Sequence, residues 1–471
     1  MGDGIMGRGI IAYGAYVPYW RLDRSKITAV MGSGGGRGHR AAASYDEDTT
    51  TMGVEAARNA LRGSELVPDS VLFSTANPAY MDKTNAAAIH AALDLPQSSW
   101  AVDVGGAPRS SEAAWALAAA NRGTNLAVAS DLRTGRPTSG DEATGGDGAA
   151  AYVFGDDSVS PVLCEWLGGA VATAEFTDRY RQPGDAFSRI WEERFGEQVY
   201  LPLANDAIER ALGDASVSLD DIDKIAIVGL HARAVRSLSR VAGDNLVTDL
   251  TGEIGNTGTA HPAIVLASIL DEAEPNETIL LVHLADGATA DVLRTTDAIA
   301  DHTPFASVRS QIDRGNDALD YNKYLTWRGF LDREPPRRPD PERPGAPPVF
   351  RSEDWKYAFV GSRDRSSGAI HLPPMRVSMD GGAVDDMERI RMADTPATIA
   401  TFTVDRLAFS LSPPMVAVVI DYDGGGRFQA EMTDVDPDAV SIGDRVEMTF
   451  RRFYSAEGIH NYFWKARPAA P

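Results

Sequence analysis

The sequence predicts an α/β layered body made of two similar halves, followed by a small all-β barrel. Three observations predict it. Short apolar runs alternate with helical patterns over most of the chain, matched runs recur roughly 150 residues apart, and a proline-rich stretch sets off a tail of strand-like segments broken by Pro and Gly turns.

Val71–Ser74 and Lys224–Gly229 are each preceded by an acidic turn and followed by a polar loop and a helical pattern, Asn85–Leu93 in one case and Val235–Ala242 in the other. Leu126–Ser130 and Thr278–His283 form a second matched pair. Buried strands alternating with helices at this spacing indicate layered α/β architecture, and the recurrence indicates a duplication. The clear boundary is Asp332–Pro348, DREPPRRPDPERPGAPP, whose seven prolines in seventeen residues disfavour helix and sheet. It divides the chain into 1–331, a linker over 332–348, and 349–471. The last part opens with Phe350–Val360, read as a short amphipathic helix. It continues with strands at Ala397–Val404, Met415–Tyr422, Arg427–Met432 and Arg445–Arg452, a spacing that fits a small antiparallel barrel.

Composition narrows the function. A net charge of −22 repels nucleic acid and anionic membranes, while a local basic pocket for a phosphorylated ligand stays possible. The single cysteine, Cys164, excludes an internal disulfide, and no CxxC pair offers thiolates to zinc. No apolar run is long enough to span a bilayer, and Met1–Arg8 shows no export signal, so a cytoplasmic protein is expected.

Five segments in order resemble the 3-hydroxy-3-methylglutaryl-CoA synthase branch of the thiolase superfamily: Ile10–Arg21 (IIAYGAYVPYWR), Asp46–Ala57 (DEDTTTMGVEAA), Gly146–Gly155 (GDGAAAYVFG), Gly255–Ala260 (GNTGTA) and Ile269–Leu281 (ILDEAEPNETILL). The resemblance implies a thiolase-like, duplicated αβαβα fold, an acyl-CoA ligand with no other cofactor, and a homodimer or a complex with a thiolase-like protein. In that branch a Glu–Cys–His set carries a Claisen condensation. The cysteine stands at a helix N-terminus, whose free N–H groups and dipole favour the thiolate.

Here the matching segment is Val102–Ala116, VDVGGAPRSSEAAWA, and the cysteine position falls on Gly106, Ala107 or Pro108, none nucleophilic. Ser110 and Ser111 read as helix-capping residues, and Cys164 as a buried packing residue of a strand. The glutamate position falls on Thr75 in Ser74–Pro78, STANP, and a threonine cannot hold a proton for acid/base work near neutral pH. The histidine remains as His231 in IVGLHAR, expected to point from a strand end toward an acyl-CoA tunnel. Asn256 matches an asparagine whose amide donates to a thioester oxygen; its alternative is a turn residue beside Gly255 and Gly258. His261 is a second candidate donor, and Tyr80 a candidate base.

Gly361–Gly382 resembles the zinc ribbon that precedes the OB-fold of the DUF35 family, and Asp434–Pro437 with Ile442–Phe450 resembles the OB-fold itself. The ribbon's cysteine positions fall on Asp364, Ser367, Ser378 and Gly381, of which only Asp364 can ligate a metal. A metal-free hairpin held by packing around Leu372, Pro373, Pro374 and Met375 is therefore expected.

Without the nucleophile, no acyl-enzyme forms. An aldol or retro-aldol step on a 3-hydroxyacyl-CoA needs only a base and an oxyanion hole. A non-catalytic scaffold or acyl-CoA channelling subunit for a thiolase is the alternative. A third reading, synthase-type acyl transfer, needs Cys164 to reach the tunnel.

Overall fold

The computed structural model describes residues 7–469 apart from 241, 338 and 340. Most of the Met1–Arg8 segment on which the export reading rests, and Arg338 and Asp340 of the proline-rich stretch, thus lie outside the described residues. The chain divides into two compact units, the first comprising 1–43, 55–86 and 97–321, the second 44–54, 87–96 and 322–471.

The strands of the first unit are β1 (Arg8–Tyr16), the hairpin β2 and β3 (Trp20–Asp23, His39–Ala42), β4 (Ser70–Ser74), β5 (Trp100–Asp103), β6 (Asn125–Leu132), β7 (Asp147–Asp156), β8 (Cys164–Thr173), the short pair β9 and β10 (Arg179–Tyr180, Arg189–Ile190), β11 (Lys224–Gly229), β12 (Thr278–Leu284) and β13 (Gly287–Thr295). Nine of them form one sheet in the order β11-β12-β13-β8-β1-β7-β6-β4-β5. The halves meet where Gly9 and Ile10 pair with Glu165 and Cys164. Outward from that seam the pattern repeats. On one side β6 is antiparallel to β7 and parallel to β4; on the other β12 is antiparallel to β13 and parallel to β11. The counterpart of β5 in the second half is only an isolated bridge from Leu246 to Ile225.

Every residue of β4 and of β12 is buried, which is why both read as continuous apolar runs. The helices Ser110–Ala120 and His261–Leu270 share one core cluster with strands of both halves, among them Leu72, Ala129 and Ala150 on one side and Val228, Leu281 and Leu293 on the other. The sequence HPAIVLASIL is apolar all round, as a helix enclosed on every face must be. The long helix Glu193–Ala215 covers the other face of the second half through Ala204, Ala207 and Ala211, packed with Ala288, Ala290 and Val292.

Two of the glycine-rich motifs meet backbone to backbone. Gly146 N–H donates to the Asn256 carbonyl at 2.9 Å and Asn256 N–H to the Thr144 carbonyl at 2.7 Å. A Cβ on Gly146 would come within 2.0 Å of the Ile254 carbonyl oxygen, so the approach requires glycine.

In the second unit a three-stranded sheet, β14 (Val360–Asp364), β15 (Ile370–His371) and β16 (Met387–Arg391), has the order β15-β14-β16. It precedes a closed barrel of β17 (Ala397–Asp405), β18 (Met415–Tyr422), β19 (Arg427–Met432), β20 (Arg445–Ala456) and β21 (Ile459–Pro468) in the order β17-β18-β19-β21-β20. Three expectations need correction. The fifth barrel strand, β21, is absent from the sequence reading. The proline-rich stretch does admit a helix, Ala346–Arg351, with Pro347 and Pro348 in its first turn, where a missing N–H costs nothing; a second short helix, Glu353–Lys356, follows it. And Pro373, Pro374 and Met375 are exposed, so they do not pack the hairpin. What joins it is polar. Asp364 accepts from the N–H and hydroxyl of Ser366 and from the hydroxyl of Ser367, and His371 Nε2 meets Ser378 Oγ at 3.3 Å. The Ser378 hydroxyl, with these donors, holds the Asp364 carboxyl well below the usual range.

The second unit also buries a cluster of charges. Arg451, fully enclosed, contacts Glu47 at 2.8 Å, Asp46 at 3.5 Å and Asp434. Lys465 contacts Asp46 at 2.9 Å and Glu431 at 2.8 Å, and the Tyr462 hydroxyl donates to Asp48 at 2.8 Å.

Candidate functional site

Beyond the carboxyl ends of β4, β5 and β6, where ligands of open α/β sheets collect, the first unit opens a cleft of about 730 Å³. Its walls come from the loops after these strands, from β9 and from the turn between β12 and β13. A second cleft of about 510 Å³ adjoins it, and Arg133 and Arg179 line both.

Thr75, Tyr80, Gly106, Ala107 and Pro108 all face the larger cleft. The strand end positions them. Gly106 N–H donates to the Thr75 carbonyl at 3.2 Å, and the Thr75 hydroxyl accepts from Asn77 N–H at 3.0 Å. Gly106 has φ +112°, and a Cβ there would meet nothing within 4 Å, so the loop bends past open space. Tyr80 is held by its own N–H, which donates to Asn85 Oδ1 at 3.0 Å. The helix begins at Ser110, and its N-cap is Arg109, which makes no capping side-chain bond. Ser110 and Ser111 therefore lie inside the first turn rather than capping it; Ser110 Oγ accepts from Ala107 N–H at 3.3 Å and Ser111 Oγ donates to the Pro108 carbonyl at 3.3 Å.

The other candidate residues lie elsewhere. His231 follows β11 and caps the helix Ala232–Ser239, its Nδ1 accepting from Ala234 N–H at 3.1 Å. Its buried ring packs on Tyr200 with centroids 5.5 Å apart. Tyr200 is the residue that faces the cleft, its hydroxyl donating to Asp178 at 3.3 Å. Asn256 lines the smaller cleft. Its amide N–H donates to the Gly229 carbonyl at 2.9 Å and its Oδ1 accepts from Gly258 N–H at 2.9 Å. His261 opens the enclosed His261–Leu270 helix, with Nδ1 accepting from Thr257 N–H at 3.3 Å. Burial, above all, pulls its pKa down to about 4, so it is neutral at pH 7. Its Nε2 meets no hydrogen-bond partner among the described residues.

Cys164 starts β8, fully buried, and burial pushes its thiol up to about 12. The cleft walls do not include it.

Two groups escaped the sequence reading. One is the arginine set Arg133, Arg179 and Arg181 in the cleft wall. Only Arg133, directly after the buried strand β6, stood at a place that strand pattern could have marked. The other is Glu112, which bonds His283 Nδ1 and the Thr289 hydroxyl and lies 3.7 Å from Arg109. Its partners come from strands more than 170 positions away, so no local spacing reveals them.

The fold and the placement of the cleft define a thiolase-like α/β protein with a β-barrel module. The structure of an HMG-CoA synthase complexed with CoA matches with a TM-score of 0.57 at 16% identity, over 68% of this chain and 90% of that one. A single-residue variant of OleA from Xanthomonas campestris matches with a TM-score of 0.54 at 17% identity, over 62% and 99%. Hydroxymethylglutaryl-CoA synthase of Methanothermobacter thermautotrophicus is 29% identical over 345 residues, 69% of this chain and 99% of that protein. That of Picrophilus torridus is 27% identical over 349 residues, 69% and 97%. Residues 391–451 match the family described as ChsH2, C-terminal OB-fold domain. The chain is thus similar to the HMG-CoA synthases over about two thirds of its length, has a thiolase-like fold there, and matches the ChsH2 C-terminal OB-fold domain at 391–451.

Proposed function

We propose that this protein handles a CoA thioester without bonding to it covalently, and carries out aldol or retro-aldol chemistry on a 3-hydroxyacyl-CoA in company with a thiolase-type partner. The supporting observation is the cleft at the amino end of the Ser110–Ala120 helix, where 106–108 offer backbone and open space but no side chain that can be acylated. The likeness to HMG-CoA synthases, one of them solved with CoA, supports a thioester ligand, and the ChsH2-type domain supports the partner. The buried, high-pKa Cys164 weighs against synthase-type transfer. Incubation with a 3-hydroxyacyl-CoA is expected to release an aldehyde or ketone and a shortened acyl-CoA, the hydroxyl proton passing through the base to the enolate carbon, and to leave the intact mass of the polypeptide unchanged. A stable acyl increment, or turnover indifferent to His231→Ala, refutes the reading.

One observation favours a second reading, a non-catalytic channelling or scaffold subunit. The His231 Nδ1 and the Asn256 amide are committed to the backbone rather than turned to the larger cleft. That reading expects thioester binding with no turnover in the presence of the thiolase partner.

A further inference from the structure

We infer that the cleft contains an anion subsite built on Arg133, which takes a carboxylate on the acyl part of the thioester. The inference rests on the thioester reading above and adds the chemistry of the acyl group.

Arg133 directly follows β6 and stands in the partition between the two clefts. Its side chain is only 14% exposed, yet its nearest carboxylate oxygen, Asp131 Oδ2, is 3.8 Å away, beyond a charge-assisted hydrogen bond. That oxygen is already occupied, accepting from the Thr259 N–H at 3.2 Å and hydroxyl at 3.1 Å. Asp147 serves the Arg133 backbone N–H rather than its guanidinium. A cation so enclosed and so loosely paired is costly to keep unless an oxyanion completes it.

Its neighbours are already engaged. Arg179 is bonded to Asp141, and Arg181 to Asn77 Oδ1 at 3.3 Å and to the Ala76 carbonyl. They add positive field, and of the three Arg133 is the one whose guanidinium makes no hydrogen bond among the described residues. A planar guanidinium meets a carboxylate through two parallel bonds, a geometry that suits an acyl terminus. The acyl group is assigned, rather than a phosphate of CoA, because Arg133 shares the cleft with Thr75 and the 105–108 loop, where the reading above puts the thioester. The pantetheine arm keeps the phosphates well away from that end.

The test is calorimetric titration of the full chain with succinyl-CoA and butyryl-CoA, which match in chain length and differ in the terminal carboxylate. The wild type is expected to prefer succinyl-CoA by about tenfold or more. Arg133→Met is expected to lose that preference while butyryl-CoA binding holds, and Arg133→Lys to retain part of it; melting curves verify that both variants fold. Equal binding of the two thioesters to the wild type overturns the inference without recourse to a variant. An equal loss for both in Arg133→Met also overturns it, since that assigns the anion to the CoA phosphates. If neither thioester binds the wild type, the thioester reading itself falls, and the subsite with it.

Discussion

Replacing Arg451 by Met tests whether the buried charge cluster is held together as its geometry implies. The substitution keeps most of the side-chain volume and removes the cation that faces Glu47 at 2.8 Å and Asp434. Asp46 loses Arg451 at 3.5 Å but keeps Lys465 at 2.9 Å, so the groups that lose their close guanidinium partner are Glu47 and Asp434. Both are nearly or fully enclosed, with side chains 1% and 5% exposed. Breaking a buried pair from one side costs about 3–5 kcal/mol, because the remaining charge is neither solvated nor matched. For a unit of this size each kcal/mol moves the melting temperature by roughly 2–4 °C, so a fall of about 6–20 °C is expected in scanning calorimetry. Adding Glu47→Gln should recover part of the loss, since it removes one of the two carboxylates deprived of the guanidinium. A fall of less than about 2 °C at pH 7 would refute the reasoning.

Two further outcomes follow from the same physics. Burial alone would raise the Asp46 carboxyl, but Lys465 and then Arg451 override it and hold the pKa at about 2. A folded-state pKa below the unfolded value of about 3.9 adds stability that is complete above roughly pH 5 and lost as pH falls through 2. Urea titrations between pH 5 and pH 2.5 should therefore show falling stability of the second unit, and a flat profile counts against the assignment. In the first unit, Gly146→Ala drives a methyl to 2.0 Å from the Ile254 carbonyl and should separate the two glycine motifs. The expected cost is of order 2 kcal/mol or more, read as a lower unfolding midpoint in denaturant, and an unchanged midpoint contradicts the close approach.

The layered body was readable because its strands are buried on both faces. Ser70–Ser74 and Thr278–Leu284 announce themselves as apolar runs, and the matches of Val71–Ser74 with Lys224–Gly229 and of Leu126–Ser130 with Thr278–His283 carry the duplication. Ile459–Pro468 was not readable in the same way. It buries Lys465 and Arg467, which local pattern places on a surface, and their partners Asp46 and Glu447 lie outside any short window. The hairpin at Gly361–Gly382 misled for a related reason: the positions that resemble metal ligands hold one another by hydrogen bonds, which no apolar count reveals. At the site, the lack of a nucleophilic side chain at 106–108 could be read from residue identity alone. The arginines at 133, 179 and 181 meet only because the strand ends converge, so sequence spacing is silent about them.

The route of the backbone has a practical consequence for anyone dissecting this protein. The polypeptide passes from one unit to the other at 43/44, 54/55, 86/87, 96/97 and 321/322. A fragment begun at the prolines would thus lack the Asp46 and Glu47 carboxylates that neutralise Arg451 and Lys465. Excision at the most obvious scissile-looking stretch should therefore yield an insoluble barrel, whereas co-production of both pieces would let the missing acids be supplied in trans.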